Sequence, residues 1–249
     1  MRILRLTIAY DGAEFAGWQL QANARTVQGV IEEGLARLCG RPLRPMAAGR
    51  TDAGVHASGQ VLSLPVPDEV GLPVKAFVFG LNRFLPEDVV VLEAAEAPEG
   101  FDARRDAVAK HYRYRILNRR TRNPLLRRSH WLIYRPLAIA SMREAAAVLL
   151  GRHDFAAFRA SDCQAKSTFR RLDRLALEPG VADEWLFEVE GPAFLKHMVR
   201  NLVGTLVEVG YGQRSPGDIQ RLLASRDRRL AGRTAPAHGL TLVSVKYQK

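Results

Sequence analysis

The order of hydrophobic periodicities in this chain predicts an α+β protein of two related subdomains, each with a mostly antiparallel sheet covered by helices, and an active-site cleft between them. Three observations carry that expectation. Short alternating, β-branched segments recur along the 249 residues. Segments with apolar residues three and four apart stand between them, and the order strand, helix, strands, helix, strand runs twice. The boundary falls near Asp106, giving an N-terminal subdomain 1–106 and a C-terminal subdomain 107–249. No low-complexity linker marks it, so the halves should pack rather than hang on a tether.

In the first half, RILRLTIAY (2–10) alternates as a strand and AYDG turns the chain. A helix should start at Thr26, whose hydroxyl can cap it. Val27, Val30, Ile31, Leu35 and Leu38 recur at helical spacing, and Gly40 ends the run. AGRTDAGVHASGQ is too rich in glycine and polar residues for a regular element, and VLSLPV after it reads as a strand. A second helix near Val74 to Leu85 and the strand DVVVLEAAEA complete this half.

The second half opens with the strand HYRYRILN and the helix SMREAAAVLLG. It continues through the strands RRLDRLALEP and WLFEVEG, the long helix AFLKHMVRNLVGTLVEVG, the helix SPGDIQRLLAS and the final strand LTLVSVKY. Gly40, Gly151 and Gly204 read as helix ends or points of close packing.

Composition points to a polyanionic partner. The chain carries 37 Lys and Arg against 26 Asp and Glu, a net charge of +11, and such self-repulsion suits contact with nucleic acid. Nearly all of it is arginine, whose planar fork pairs with phosphate and stacks on bases. Between Asp106 and Glu144 there is no acidic residue, whereas Lys110, Arg113, Arg115, Arg119, Arg120, Arg122, Arg127, Arg128, Arg135 and Arg143 are basic. Tyr112, Tyr114, Trp131 and Tyr134 interleave with them, the mixture expected where phosphates and bases are both met. The two cysteines, Cys39 and Cys163, lie far apart and match no metal-ligand spacing, which favours a reducing cytoplasm. No stretch reaches the length of a membrane span, and the strand-like start does not read as a secretion signal.

The chemistry concentrates in AGRTDAGVHASGQV. Gly49, Gly54 and Gly59 permit tight turns, so Arg50, Thr51 and Asp52 can project from a constrained loop. Arg50, two residues before Asp52, favours an ionised carboxylate that can act as nucleophile or base. Spacing alone leaves two alternatives open. Thr51-Asp52-Ala53-Gly54 could be a structural turn, and Asp52 with His56 could supply two metal ligands, although no third is suggested nearby.

Eight blocks in order extend that pattern: YDGAEFAGWQLQ with RTVQ, AGRTDAGVHASGQV, NRFLPEDV, FDAR, KHYRY, HDFAAFR, FLKHMVRNLVG and TAPAHGLTLVSVKY. Together they resemble the TruA-type tRNA pseudouridine synthases over the whole chain. The resemblance implies isomerisation of uridine to pseudouridine at positions 38, 39 and 40 in the anticodon stem-loop of tRNA, without cofactor or metal. It implies that Asp52 is the catalytic nucleophile, attacking C6 of the base or C1′ of the ribose. Tyr112, first tyrosine of KHYRY, corresponds to the aromatic that packs on the target base; as a strand residue sharing a face with Tyr114 and Ile116 it could equally be core. Arg200 corresponds to the basic residue that pairs with the catalytic carboxylate, and Arg50 to the arginine that fills the space of the displaced nucleotide, with a phosphate contact as its alternative. A cytoplasmic homodimer that binds tRNA, with no membrane association, completes the implication. Two rival readings remain from the residues alone, a non-catalytic RNA-binding protein and an Asp-His phosphodiesterase built on Asp52 and His56.

Overall fold

The computed structural model describes residues 1–248. In chain order its strands and helices are β1 (Arg2–Tyr10), α1 (Val27–Cys39), β2 (Met46–Ala47), β3 (His56–Val66), α2 (Ala76–Phe79), β4 (Val89–Ala97), β5 (Ala107–Asn118), β6 (Trp131–Ile133), α3 (Ile139–Ala147), β7 (Gly151–Asp154), β8 (Phe169–Leu172), β9 (Arg174–Pro179), β10 (Glu184–Gly191), α4 (Met198–Gly210), α5 (Pro216–Ser225) and β11 (Leu240–Tyr247). The fold is α+β with mainly antiparallel pairing. The chain divides into two compact units, Met1–Val108 with Leu242–Lys249, and Ala109–Thr241.

In the first unit β1 lies between β3 and β4, antiparallel to both, with Leu6 opposite Leu62 on one side and Ala94 on the other. Alternation directs Leu4, Leu6, Ile8 and Tyr10 inward. β3 is buried almost end to end, as expected of a strand with neighbours on both sides. Each fully buried leucine or isoleucine of this core contributes about 1.5–3 kcal/mol. Helix α1 forms as its sequence signals require. The Thr26 side chain accepts from the Gly29 amide, and Gly40 closes the helix with a left-handed φ of 69°.

Two elements of this unit differ from expectation. β3 begins at His56 rather than after Gln60, so HASGQ is strand and not loop. A Cβ on Gly59 would overlap the Val243 carbonyl oxygen, so this glycine marks a close approach of β11 rather than a loop. The helix expected from Val74 to Leu85 shrinks to α2 and a separate 3₁₀ turn, Leu81–Arg83. Asn82 accounts for the break. Its side chain bonds the Val91 amide at 2.7 Å and the Val91 carbonyl at 2.9 Å, tying the turn to β4.

In the second unit β10 pairs antiparallel with β5 on one side and β9 on the other, placing Phe187 opposite Tyr114 and Leu177. β6 runs parallel to β5, and β7 pairs with β8 in a separate ribbon. RRLDRLALEP is therefore two strands, β8 and β9, broken at Asp173. Helix α4 is buried nearly all round. It starts at Met198, not at Ala193, because the Lys196 carbonyl is taken by the Ala160 amide and His197 adopts a left-handed φ of 61°. Gly204 packs its bare backbone against the Arg233 carbonyl, where any Cβ would overlap. Gly151 has a φ of 88° at the start of β7, and α3 ends four residues earlier, at Ala147.

Candidate active site

The loop between β2 and β3 carries Arg50, Thr51 and Asp52, and two sets of contacts from its own unit hold it. From below, Gln60, fully buried, donates to the Gly49 carbonyl at 2.7 Å, and the Tyr10 hydroxyl meets Thr51 Oγ1 at 2.8 Å. Burial pushes the Tyr10 phenol up to about 12, against the opposing hydrogen bonds of Thr51 and Gln60. From the side, the segment after β1 closes over the turn. The Trp18 amide donates to the Thr51 carbonyl at 3.0 Å and the Gly54 amide to the Phe15 carbonyl at 3.3 Å.

Glycines make that closeness possible. A Cβ on Gly12 would overlap the Val55 carbonyl, and one on Gly17 would sit 2.8 Å from the Thr51 carbonyl oxygen, where φ is already 97°. The turn itself closes by a 3.1 Å bond from the Val55 amide to the Asp52 carbonyl, with Gly54 at a φ of 78°. The outcome is a half-buried Asp52 on a fixed backbone beside an exposed Arg50. His56 Nδ1 lies 3.0 Å from the Gly12 amide and 2.9 Å from Asp11 Oδ1. This ring nitrogen serves the same clasp of the Gly12 segment onto the loop. Among the described residues no group of three His, Cys, Asp or Glu could hold a metal ion.

Tyr112 and Arg200 belong to the second unit. Tyr112 is buried on the face of β5 that also buries Tyr114 and Ile116, and its ring meets Phe194 edge-on at 5.1 Å. Tyr114 is fully buried and donates to the Pro236 carbonyl at 2.8 Å. Arg200, on the first turn of α4, donates from Nε to the Ala235 carbonyl at 2.8 Å, and the Ala235 amide returns a 3.1 Å bond to the Arg200 carbonyl. Arg50 and Asp52 thus share one loop, while Tyr112 and Arg200 are linked through β5 and the segment around Ala235. Tyr10, Gly12, Gly17 and Gln60 escaped the sequence reading. The spaced glycines of YDGAEFAG were the available signal, since two rigid approaches of backbone to backbone require them.

The basic segment needs a correction. Tyr112, Tyr114 and Trp131 are buried, so Tyr134 is the interleaved aromatic that stands at the surface. Lys110 is buried too, and Arg113 pairs at 2.6 Å with the buried carboxylate of Glu188, which also meets His111 at 2.5 Å. The strand period explains the burial of Lys110, Tyr112 and Tyr114: alternate residues of β5 point inward whatever their type. What remains exposed is the stretch after β5, with Arg120, Arg122, Arg127, Arg128 and Arg135 beside Tyr134 and Leu125.

An antiparallel α+β scaffold that presents a clamped carboxylate loop and an arginine-rich surface describes an enzyme suited to a polyanionic substrate. Comparison with known proteins gives the particular family. Residues 145–248 match the family model described as tRNA pseudouridine synthase. A tRNA pseudouridine synthase A of Myxococcus xanthus is 54% identical over 98% of this chain and 92% of its own. Those of Syntrophotalea carbinolica and Pelobacter propionicus are 47% and 49% identical, over 99% of this chain and 97% and 100% of theirs. The chain belongs to the tRNA pseudouridine synthase A family of enzymes. Among the described residues no helix is long and apolar enough to cross a membrane.

Proposed function

We propose that this enzyme converts uridine to pseudouridine at positions 38, 39 and 40 of the tRNA anticodon stem-loop, with Asp52 as the nucleophile, and that it does so as a homodimer in the cytoplasm. The observation that carries the reading is the clamp on the Asp52 loop. A carboxylate whose loop is fixed by hydrogen bonds at Gly49 and Thr51 before it and at Gly54 after it, yet which is itself half exposed, is preorganised to attack. In the reaction Asp52 bonds to C6 or C1′ as the bond from ribose C1′ to base N1 breaks, and the carboxylate is released again, from C1′ as C5 displaces it or from C6 by elimination. The base turns, C5 joins C1′, the C5 proton leaves and N1 gains one. Nothing is oxidised or reduced.

The other residues take roles that suit their placement. Arg200 pairs with the Asp52 carboxylate and holds its aim. Tyr112 packs on the displaced base, replacing about 1–3 kcal/mol of lost stacking. Arg50, exposed at the loop, enters the space that the nucleotide leaves. The exposed arginines after β5 meet phosphates of the stem. The two free cysteines suit a reducing compartment.

Release of tritium from tRNA labelled at uridine C5 tests the nucleophile. Asp52→Ala and Asp52→Asn should bring release to background while tRNA binding persists. Release at the wild-type rate from either variant would sink the assignment. Sedimentation of the purified enzyme, alone and with tRNA, tests the dimer.

A further inference from the structure

The block TAPAHG meets Arg200 through Ala235 and Tyr114 through Pro236, and it belongs to a longer stretch of the second unit that is itself held by many hydrogen bonds. The chain from Arg228 to Gly239 forms no strand or α-helix; it holds two single 3₁₀ turns, Arg228–Leu230 and Ala237–Gly239. Without a ladder, its backbone must be fixed by other means. Arg228 makes four of these bonds, two to backbone and two to side chains. Its Nη1 donates to the carbonyls of Ala231 at 3.2 Å and Gly232 at 2.9 Å, and its Nη2 donates to Asn201 Oδ1 and Thr234 Oγ1, both at 3.1 Å.

Asn201 is fully buried on α4, next to Arg200, and donates to the Phe158 carbonyl at 2.8 Å, so it is a fixed point. Thr234 donates to the same Asn201 oxygen at 2.7 Å. The Gly232 amide bonds Thr205 Oγ1 at 3.0 Å, and Gly204 lets the strap lie against α4 without a gap. One residue beyond Thr234 comes Ala235, whose carbonyl holds Arg200 Nε. Next, the Pro236 carbonyl accepts from Tyr114, and a Cβ on Gly239 would press on the Tyr114 ring. The strap therefore joins the helix that carries Arg200 to the strand that carries Tyr112.

We infer that Arg228 is a positioning residue for the isomerisation, acting through the strap to set the aim of the Arg200 guanidinium. This rests on the proposed role of Arg200. The stem of an arginine holds many rotamers, and one Nε bond to a carbonyl selects among them only if that carbonyl stays in place. Ala235 stays because Arg228 holds the Ala231 and Gly232 carbonyls and, with Asn201, the Thr234 hydroxyl next to it. Lysine cannot reproduce this, since a single ammonium cannot span two backbone carbonyls and two side-chain oxygens in the plane of a fork.

Single-turnover tritium release at saturating enzyme reads the effect, in a cycle of wild type, Arg228→Lys, Arg200→Ala and the double variant. Arg228→Lys should slow wild type about tenfold with tRNA affinity within about twofold, and should slow the Arg200→Ala enzyme less than about twofold. An equal loss in both backgrounds would show that Arg228 serves stability at large and overturn the inference, as would an unchanged rate in Arg228→Lys while Arg200→Ala is slow. Arg200→Ala at full rate removes the role of Arg200 itself and, with it, this role of Arg228. Should Arg228→Lys fold poorly, Thr234→Val in the same cycle gives a loss of about threefold through Arg200 and less than about twofold without it.

Discussion

The Asp52 loop and the basic segment from Lys110 to Arg143 both stand out in the sequence, and the structure treats them in opposite ways. The first is rich in glycine, the usual mark of freedom, and is held by the buried contacts of Tyr10 and Gln60 and by the Gly12 and Gly17 approaches. The second is rich in arginine and aromatic residues, the usual mark of a binding surface, and its opening stretch, through Asn118, belongs to the core strand β5. Glycine here gives proximity rather than mobility. Charge density along a chain says little about surface until the strand period has sorted it into inward and outward residues.

The comparison breaks most visibly at Gly12. If glycine there serves proximity, Gly12→Ala must push the Val55 carbonyl and with it the turn that carries Asp52. We expect a loss of about 3 kcal/mol of stability, with turnover down on the order of 100-fold, as for a small misplacement of a reacting group. Thermal melts and tritium release on the same preparation check both. Turnover equal to wild type would mean that the segment after β1 does not position the loop.

Tyr10→Phe is the next largest change. It removes the 2.8 Å bond to Thr51 and should cost about 1 kcal/mol and a fewfold in turnover. It also carries a pH signature. The folded phenol titrates at about 12 against an ordinary 10.0, so its contribution is complete below pH 10 and is lost as pH rises through 12. That difference corresponds to about 3 kcal/mol. Urea midpoints at pH 9 and pH 11 should therefore converge more in Tyr10→Phe than in wild type. An identical alkaline decline in both proteins would argue that Tyr10 is not buried as a neutral phenol.

Much of the fold was legible because it depends on local signals. Thr26 and Gly40 bound α1 as a hydroxyl cap and a left-handed glycine should, and Gly204 proved to be a packing glycine. What escaped depends on distant partners. HASGQ looks like loop until the carbonyl of Val243 is placed against Gly59, and Ser58 Oγ donates to that same carbonyl, 185 residues away in sequence. The break after α2 needs Asn82 to find Val91. At the site, Asp52 and Arg50 stood out on the loop glycines, but the residues that hold the loop, Tyr10 and Gln60, look like ordinary strand residues. No spacing rule connects Arg228 to Arg200, because the strap that joins them has no period.

The smallest effects separate residues within the basic segment. Arg122 is exposed after β5, whereas Arg113 is engaged with the nearly inaccessible Glu188. Replacing Arg120, Arg122 and Arg127 together with alanine should reduce the slope of log affinity for tRNA against log salt by about 2–3, because each phosphate contact contributes about 0.7–0.9. Arg122→Ala alone should remove less than about 1 from that slope and leave the melting temperature within about 1 °C. Arg113→Ala should do the reverse. It leaves the Glu188 carboxylate with His111 as its remaining neighbour of that cluster, which costs about 1–3 kcal/mol, and it leaves the salt slope unchanged. If Arg113→Ala instead lowers the slope as Arg122→Ala does, β5 contributes to the RNA surface after all, and the contrast between the ion-paired Arg113 and the exposed arginines after β5 fails.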